Sequence, residues 1–275
     1  MSDQSLADTG PVLLVGAGKM GIAMARGWIA AGLAPDNLIL IDPNPADATS
    51  AFAREHGLRI VASSAGLSAA VLVLAVKPQI IADVFPQVRG SVAGDTLVLS
   101  VAAGISLKTI SDALETGRVV RTMPNTPAQI GKGISGAVAG PAVSQRDRAT
   151  AEALLAAAGA VVWFDEESDL DALTAVSGSG PAYVFHLVEA LAEAGRRQGL
   201  PEAVAMQLAR QTVIGAAALM EADPASAATL RENVTSPNGT TAAALAVLMG
   251  ENGLTDLMDR TVTAARRRTE ELGRS

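Results

Sequence analysis

Three glycines with fixed spacing lie near the start of the chain, in the segment Gly16-Ala17-Gly18-Lys19-Met20-Gly21. An apolar run at residues 12–15 precedes this segment, and residues 20–31 have a helical pattern. Between a strand and a helix, the first glycine permits a tight turn, the second lets a pyrophosphate approach the backbone, and the third lets the helix pack on the strand. The anion then lies at the helix N-terminus. The spacing therefore predicts a dinucleotide-binding site at residues 16–21.

An acidic residue, Asp42, follows the second apolar run and lies about 20 residues beyond the glycines. A carboxylate at this position accepts hydrogen bonds from the adenosine ribose hydroxyls and repels a 2′-phosphate, which favours NADH over NADPH. The segment Asp42-Pro43-Asn44-Pro45 also suits a turn before a helix without any ligand. Both interpretations of Asp42 stay open.

Two further loops follow predicted strands and contain proline, at residues 75–79 and 121–127. An open α/β sheet binds its ligands outside the carboxyl ends of its strands. We therefore expect five residues to face the nicotinamide half of the cofactor, namely Ala75, Val76, Lys77, Pro78 and Asn125. A residue followed by proline can also simply end a strand, so a structural role fits the same loops.

The second half contains the segment Ser236-Pro237-Asn238-Gly239-Thr240-Thr241, followed by a helical run at residues 242–249. A Pro-Asn-Gly turn brings small hydroxyl side chains and free backbone N–H groups to a helix N-terminus. Such a terminus attracts a carboxylate. An ordinary capped helix with nothing bound fits the same residues.

The elements that must position these residues divide the chain in two. Short apolar runs alternate with helical segments as far as residue 164, and they lie at 12–15, 38–41, 71–76, 96–101, 119–122 and 161–164. This alternation predicts a parallel sheet with helices on both faces, here a Rossmann-type dinucleotide-binding domain over residues 1–165. Strand signals stop after Asp165, so an all-α domain is expected over residues 166–275, with helices at 181–198, 201–222 and 254–272 and a shorter one after Thr240. The predicted fold class is therefore α/β followed by all-α.

The composition argues against several classes of function. The net charge is −7 and the basic residues are scattered, which disfavours nucleic acid as a partner. The chain has no cysteine and only two histidines, so neither thiolate chemistry nor a metal site is expected. We find no apolar run of a membrane span and no signal peptide, so the expected location is cytoplasmic, without a membrane partner.

Five segments together resemble the pyrroline-5-carboxylate reductase family, in the same order along nearly the whole chain: residues 16–21, 75–79, 121–127, 171–185 and 231–245. The family pattern Ser-Pro-Gly-Gly-Thr-Thr occurs here with Asn238 in place of the first glycine. Asparagine tolerates the left-handed conformation, so the turn stays feasible.

This resemblance implies that a hydride passes from C4 of the nicotinamide of NADH or NADPH to the C5 imine carbon of 1-pyrroline-5-carboxylate, which gives L-proline. It implies that the backbone of Gly239 and Thr240, with Ser236 nearby, holds the substrate carboxylate. The catalytic residue it implies is Thr241, with its hydroxyl near the ring nitrogen. It further implies a helical domain that interlocks with that of a second subunit, giving a homodimer and larger rings of dimers.

Three alternatives remain open at this point. A β-hydroxyacid dehydrogenase shares the architecture but is expected, by resemblance, to carry a catalytic lysine on the first long helix, and this chain has none there. A reductase of six-membered cyclic imines would use the same motifs, because one ring carbon changes only the volume of the pocket. A protein that senses NAD(H) without turnover belongs to a different functional class.

Overall fold

An eight-stranded sheet forms the first part of the molecule in the computed structural model, which describes residues 6–273. The strands are β1 (Val12–Val15), β2 (Leu38–Ile41), β3 (Arg59–Val61), β4 (Val71–Leu74), β5 (Leu97–Ser100), β6 (Val119–Met123), β7 (Gly133–Ala139) and β8 (Gly159–Phe164). Their order across the sheet is β3-β2-β1-β4-β5-β6-β7-β8. The order reverses between β1 and β4, and ligands of open α/β sheets bind at such a point.

The strand β7 makes the sheet mixed, because it runs antiparallel to β6 and parallel to β8. The prediction of a wholly parallel sheet is therefore wrong at β7 and at β8, which both run opposite to β1–β6. The short connection at residues 124–132 cannot provide the crossover of a dozen or more residues that a parallel pair needs. The sequence analysis missed β7 because glycines interrupt it, and Gly136 is one that packing requires: an added Cβ would collide with the Leu173 side chain.

Helices cover both faces of the sheet, as the alternation of apolar runs predicted. They are α1 (Lys19–Ala30), α2 (Asp47–His56), α3 (Ile81–Val88), α4 (Leu107–Leu114), α5 (Gln145–Ala156) and the short α6 (Asp169–Leu173). Alternate residues of β1 enter two separate cores: Leu14 packs in the cluster that contains Trp28, and Leu13 in the cluster that contains Phe85. The Trp28 indole donates a hydrogen bond of 2.8 Å to the carbonyl of Leu154, which ties α1 to α5.

Helices alone follow β8 in the described part of the chain. A single turn of π-helix, Thr174–Gly178, leads into α7 (Gly180–Arg197), α8 (Glu202–Ala222), α9 (Ala227–Asn233), α10 (Thr240–Leu248) and α11 (Leu254–Gly273). The four helices predicted here are confirmed to within a residue or two at each end. The π-turn and α9 were not predicted, because both are too short to show a periodic pattern.

Contacts divide the chain into two units, one of Met1–Gly178 with Arg266–Ser275 and the other of Ser179–Ala265. The domain boundary predicted at residues 165 and 166 stays a prediction. Residues 167–178 group with the sheet because they pack on its strands, as the approach of Leu173 to Gly136 illustrates. The end of α11 likewise belongs to the unit that contains the sheet.

The helical unit buries few of its apolar side chains within the chain. In α7 to α11 as described, only three alanines are buried, Ala192, Ala205 and Ala209. Large apolar side chains are exposed instead, among them Phe185 at 64% and Leu219 at 61%. Among the described residues, α8 is the one helix that could cross a membrane, as judged by its length and composition alone.

Candidate functional site

The carboxyl ends of three neighbouring strands bring most of the predicted cofactor residues together. In the parallel ladder Val15 is paired with Ile41 of β2 and with Leu74 of β4. The residue after each strand is a predicted site residue: Gly16, Asp42 and Ala75. These three positions therefore lie side by side at one edge of the sheet.

A cleft of about 520 Å³ lies at this edge. Six of the predicted cofactor residues line it, namely Gly16, Gly18, Asp42, Ala75, Val76 and Lys77. Other lining residues come from the turn after β2, the loop after β3 and α3, including Asn44, Ser63, Ser64 and Gln87. The cleft extends across the ends of β2, β1 and β4, and all of its lining residues belong to the unit that contains the sheet.

The three glycines of the turn meet three different steric demands. Gly16 has a φ of +90°, and an added Cβ would lie 2.8 Å from the Ala75 carbonyl oxygen. At Gly21 an added Cβ would collide with the Gly16 carbonyl oxygen. Gly18 differs, because an added Cβ there would meet no protein atom within 4 Å. The backbone at Gly18 thus faces open space at the start of α1, which is the space a pyrophosphate requires.

The turn is held in place through the peptide groups of Ala17. Its N–H donates to Asp42 Oδ2 at 3.2 Å, and its carbonyl accepts from the Thr49 hydroxyl at 2.8 Å. The other carboxylate oxygen of Asp42 accepts from the Asn44 N–H at 2.9 Å. Asp42 therefore supports the turn and also lines the cleft, so the two interpretations of this residue are compatible. Thr49 gave no signal in the sequence, because its partner lies 32 residues away.

The remaining cofactor candidates occupy the rim of this region. Lys19 is exposed at the first position of α1, and Met20 packs partly against the core. Pro78 opens a short helical turn after β4, and Lys77 before it is exposed. A cation at Lys77 is the charge that an anionic dinucleotide would meet beside the ends of β1 and β4.

Asn125 does not present its side chain to the cleft. Its Oδ1 accepts from the Ile134 N–H at 3.0 Å, and its Nδ2 lies 3.1 Å from Ser177 Oγ and 3.3 Å from the Ser177 carbonyl oxygen. The residue is buried. The structure therefore separates Asn125 from the residues that line the cleft, although it lies directly beyond the end of β6.

A charged cluster that the sequence analysis missed lies near the carboxyl ends of β5 and β6. Arg121 donates to Glu167 Oε1 at 2.6 Å, and the same oxygen accepts from the Leu107 N–H at 2.8 Å, which caps α4. Burial raises the pKa of the Asp171 carboxyl beside them, and the Arg121 guanidinium opposes that shift. Glu270 of α11 also raises the pKa of Asp171. The cluster ties α4 to β6 and, together with Glu270 and Gly273 of α11, lines a cavity of about 280 Å³.

The predicted substrate residues lie on a turn in the helical unit. The Gly239 N–H donates to the Ser236 carbonyl at 3.1 Å, and Asn238 between them has a φ of +60°. This geometry is a type II turn, so asparagine does adopt the left-handed conformation that the family glycine would. An added Cβ at Gly239 would meet Ser236 Oγ, so a larger residue here would force the Ser236 side chain to move. Thr240 and Thr241 then begin α10, whose N-terminal residue Gly239 has no side chain with which to cap it.

Metal ions in proteins require a set of ligating side chains close to one another. Among residues 6–273, no group of three or more His, Asp or Glu side chains is placed to hold a metal ion. His186 is exposed on α7, with its ring 3.1 Å from Glu189.

Two family models match the chain. One, described as NADP oxidoreductase, coenzyme F420-dependent, matches residues 11–104, which include the glycine turn and Asp42. The other, described as pyrroline-5-carboxylate reductase dimerisation, matches residues 167–272. The second match covers α6 to α11 almost completely, and with them the turn at residues 236–241.

Full-length relatives decide the family. A pyrroline-5-carboxylate reductase of Pseudomonas aeruginosa is 39% identical over 95% of this chain and 96% of its own length. This chain belongs to the pyrroline-5-carboxylate reductase family. A solved pyrroline-5-carboxylate reductase from Coxiella burnetii superposes with a TM-score of 0.89 at 35% identity, over 96% of this chain and 99% of that one.

A second solved member of the family, from Plasmodium falciparum, was determined with NADP bound. It superposes with a TM-score of 0.79 at 27% identity, over 96% of this chain and 98% of that one. The resemblance, the fold class and the prediction of an NAD(P)H-dependent oxidoreductase are thereby confirmed. The roles of the individual residues stay predictions.

Proposed function

We propose that this pyrroline-5-carboxylate reductase transfers a hydride from NADH or NADPH to the C5 imine carbon of 1-pyrroline-5-carboxylate and forms L-proline, the final step of proline biosynthesis. The observation that carries the proposal is the cleft around Gly16, Gly18 and Asp42, in a chain of this family. Reduced nicotinamide supplies the hydride. The protonated imine is already electrophilic, so the protein must bind, orient and exclude water rather than provide a nucleophile.

The glycine turn holds the cofactor in this proposal. The N–H groups of Lys19, Met20 and Gly21 at the start of α1 face the pyrophosphate, with Gly18 leaving the space for it. Ala75, Val76 and Lys77 line the cleft, and we place the nicotinamide half beside them, with Pro78 directly after. Both hydrogen bonds to Ala17 keep the turn in one conformation before the cofactor arrives, which lowers the cost of ordering it.

Asp42 directs the choice of cofactor towards NADH. Its carboxylate is fixed by two backbone N–H groups at the end of β2, where the adenosine ribose is expected. Within the cleft described above, the one basic side chain is Lys77, which lies beyond β4 and so two strands away from Asp42. A 2′-phosphate would meet a carboxylate without a neighbouring cation, and like charges in contact are unfavourable.

The N-terminus of α10 holds the substrate carboxylate. The first hydrogen bond within this helix is donated by the Ala243 N–H to the Gly239 carbonyl, at 3.2 Å, so the N–H groups of Thr240 and Thr241 precede it. The Gly239 N–H is already used in the turn, and this glycine instead keeps the approach free of a side chain. Ser236 Oγ adds a hydroxyl beside the same terminus. A hydrogen bond to a charged group contributes about 1.5–3 kcal/mol, so two or three of them suffice to select a carboxylate.

Thr241 is the residue that contacts the reacting group. Its hydroxyl lies on the first turn of α10, on the same residue as one of the two N–H groups that hold the carboxylate, and would accept a hydrogen bond from the protonated ring nitrogen. Hydride addition to C5 then converts the iminium to a secondary amine that keeps this proton. The hydroxyl therefore orients the ring and does not need to change its own protonation state.

A second copy of the chain completes the helical unit in this proposal. The apolar side chains exposed on α7 and α8, including Phe185 and Leu219, would be covered by the same helices of the partner. Burial against a partner also explains why α8 is apolar enough to resemble a membrane span. The charged side chain of Arg210, in the middle of this helix, argues against such a span. We extend the proposal to rings built from such dimers, and we place the protein in the cytoplasm.

The test is the loss of reduced-nicotinamide absorbance with purified protein and 1-pyrroline-5-carboxylate, in parallel with NADH and NADPH. We expect oxidation with both, faster with NADH at equal concentration, and proline as the product. The six-membered homologue of the substrate serves as the matched control, and we expect a lower kcat/KM with it. Oxidation only with the six-membered ring would replace the proposed substrate, and NADH binding without any oxidation would favour a sensor.

A further inference from the structure

The Asn125 side chain joins three segments at the end of β6 that are distant in sequence. Its Oδ1 accepts from the N–H of Ile134 in β7, and its Nδ2 reaches both oxygens of Ser177. A carboxamide has two donor hydrogens, and both of these have a partner here. Because the side chain is buried and both of its donor hydrogens are in use, it has no donor left for a cofactor, although its position in the loop suggested that role.

The partner of this amide is an uncommon structure. Ser177 belongs to the single turn of π-helix at Thr174–Gly178, and such turns are rare and frequently lie at functional sites. The turn packs closely on the end of β6, because an added Cβ at Gly178 would lie 3.4 Å from Met123 Cε. The Thr174 hydroxyl bonds to the Leu170 carbonyl at 2.6 Å, which fixes the start of the turn. Asn125 fixes its end.

We infer that Asn125 is a positioning residue for catalysis, which holds the π-turn at Thr174–Gly178 against the carboxyl end of β6. This inference rests on the proposed function, because that edge of the sheet is where the nicotinamide half is placed. Without the amide donor, the two oxygens of Ser177 lose their shared partner, and the segment is free to take the more stable α-helical register. The peptides of Ser177 and Gly178 would then rotate away from the edge.

The variant Asn125→Asp separates positioning from binding. The carboxylate keeps an acceptor for the Ile134 N–H and keeps its shape, but it places an acceptor against the Ser177 carbonyl oxygen. We expect a loss in kcat/KM for the imine on the order of tenfold or more, with the Kd for NADH within about twofold of the parent. Amide hydrogen exchange of a peptide that spans residues 170–180 should become faster, which reports on the π-turn without any turnover.

The variant Ser177→Ala is the matched control, since it removes one of the two acceptors and nothing else. We expect a smaller loss in kcat/KM than in Asn125→Asp, and the double variant should be no worse than Asn125→Asp alone, because both act through one contact. Ser177→Thr, which keeps the hydroxyl, should retain the parent value. If Asn125→Asp does not fold, the comparison of Ser177→Ala with Ser177→Thr still tests the contact.

Several results would overturn the inference. If Asn125→Asp weakens NADH binding by the same factor as it lowers kcat/KM, the side chain is a cofactor ligand. Additive losses in the double variant would show that Asn125 does not act through Ser177. Unchanged hydrogen exchange of residues 170–180 would remove the positioning role even if the parent protein reduced no imine. Failure of the proposed function is recognised separately, by the absence of turnover in the parent protein.

Discussion

Two glycine-containing turns lead into helix N-termini in this molecule, and they are stabilised very differently. The turn at residues 16–18 lies among buried strands, and contacts with Ala75, Thr49 and Asp42 hold it. The turn at residues 236–239 is held by its own atoms, through the Gly239 to Ser236 hydrogen bond and the left-handed Asn238. The first is fixed by the fold, whereas the second can be reshaped by local substitutions.

The same contrast holds between the units that carry the two turns. The sheet unit buries its large apolar side chains within one chain, with Trp28, Phe52 and the residues of β1 almost fully buried. The helical unit buries three alanines in its helices and exposes large apolar side chains. We therefore expect the unit proposed to bind the cofactor to be complete in one chain, and the unit proposed to bind the substrate to require a second copy. Substitutions in the two units should therefore have different consequences.

The largest effect is expected for Gly21→Ala. The new Cβ would collide with the carbonyl oxygen of Gly16, which the sheet holds in place, so we expect loss of NADH binding together with a destabilisation of about 1–3 kcal/mol. Gly18→Ala is the control, because its Cβ meets no protein atom within 4 Å. Its thermal midpoint should stay unchanged while the Kd for NADH rises about tenfold or more, which corresponds to about 1.4 kcal/mol. Unimpaired NADH binding by Gly18→Ala would show that the pyrophosphate lies elsewhere.

The next effect is expected for Thr241→Ala. Loss of the hydroxyl that orients the ring should lower kcat by about a hundredfold. The Kd for NADH should stay unchanged, because Thr241 lies in the helical unit and not in the cleft of the sheet unit. Thr241→Ser keeps the hydroxyl and should recover most of the activity. Steady-state kinetics and a separate NADH titration measure the two quantities. Equal losses of turnover and NADH binding would mean that Thr241 is a structural cap.

The dependence of the helical unit on a second copy can be tested with Leu208→Glu combined with Ile214→Glu. Both side chains are about half exposed on α8 in the single chain, at 52% and 54%. The two glutamates would bury charges without partners in the dimer interface, so the dimer should not form. We expect the mass in solution of a monomer, loss of imine turnover and retained NADH binding. Gln145→Glu adds charge to an exposed position of the sheet unit and should leave the mass unchanged. A dimer that survives both substitutions on α8 would place the interface elsewhere.

A smaller effect is expected for Asp42→Asn, which removes the charge but keeps one acceptor oxygen for the turn. The ratio of kcat/KM for NADH to that for NADPH should fall about tenfold, the value of one lost charge contact of about 1.4 kcal/mol. The thermal midpoint reports whether the hydrogen bond from the Ala17 N–H to residue 42 is kept. An unchanged ratio would leave Asp42 with the structural role alone.

The smallest effect is expected for Asp171→Asn, and it depends on pH. Burial raises the pKa of this carboxyl, so its ionised form is disfavoured in the folded state and costs stability at neutral pH. The substitution should raise the thermal midpoint slightly at pH 7, and the gain should vanish as the pH falls below the ordinary carboxyl pKa of 3.8, where the folded and unfolded states are both protonated. Asp169→Asn, on the same helix but exposed, is the matched control. A gain that persists at low pH would have another cause.

The elements recovered from the sequence are those with local signals. The glycine spacing at residues 16–21 and the apolar runs of β1, β2 and β4 depend only on neighbours in sequence, and so do the ends of α7 and α8. Two strands of the sheet were missed. The three residues of β3 are too few to show a pattern, and in β7 packing against Leu173 disfavours any residue but the glycine that breaks the strand pattern.

Contacts between distant residues could not be predicted in this way. Thr49 donates a hydrogen bond to Ala17 of the glycine turn, 32 residues away in sequence. Asn125 donates a hydrogen bond to Ser177, which lies 52 residues further along the chain. The sequence correctly predicted that Asn125 lies at the carboxyl edge of the sheet. Nothing in the neighbouring sequence indicates that its amide forms hydrogen bonds within the protein. The salt bridge between Arg121 and Glu167 was missed for the same reason.

The most direct test of the central claim is to follow the transferred hydrogen. Purified protein is incubated with 1-pyrroline-5-carboxylate and NADH that carries deuterium at the transferable C4 position, and the product is analysed by mass spectrometry and NMR. The account predicts L-proline with one deuterium at C5 for each NADH oxidised. Oxidation of NADH without deuterium in proline, or with deuterium at any other carbon, would contradict it.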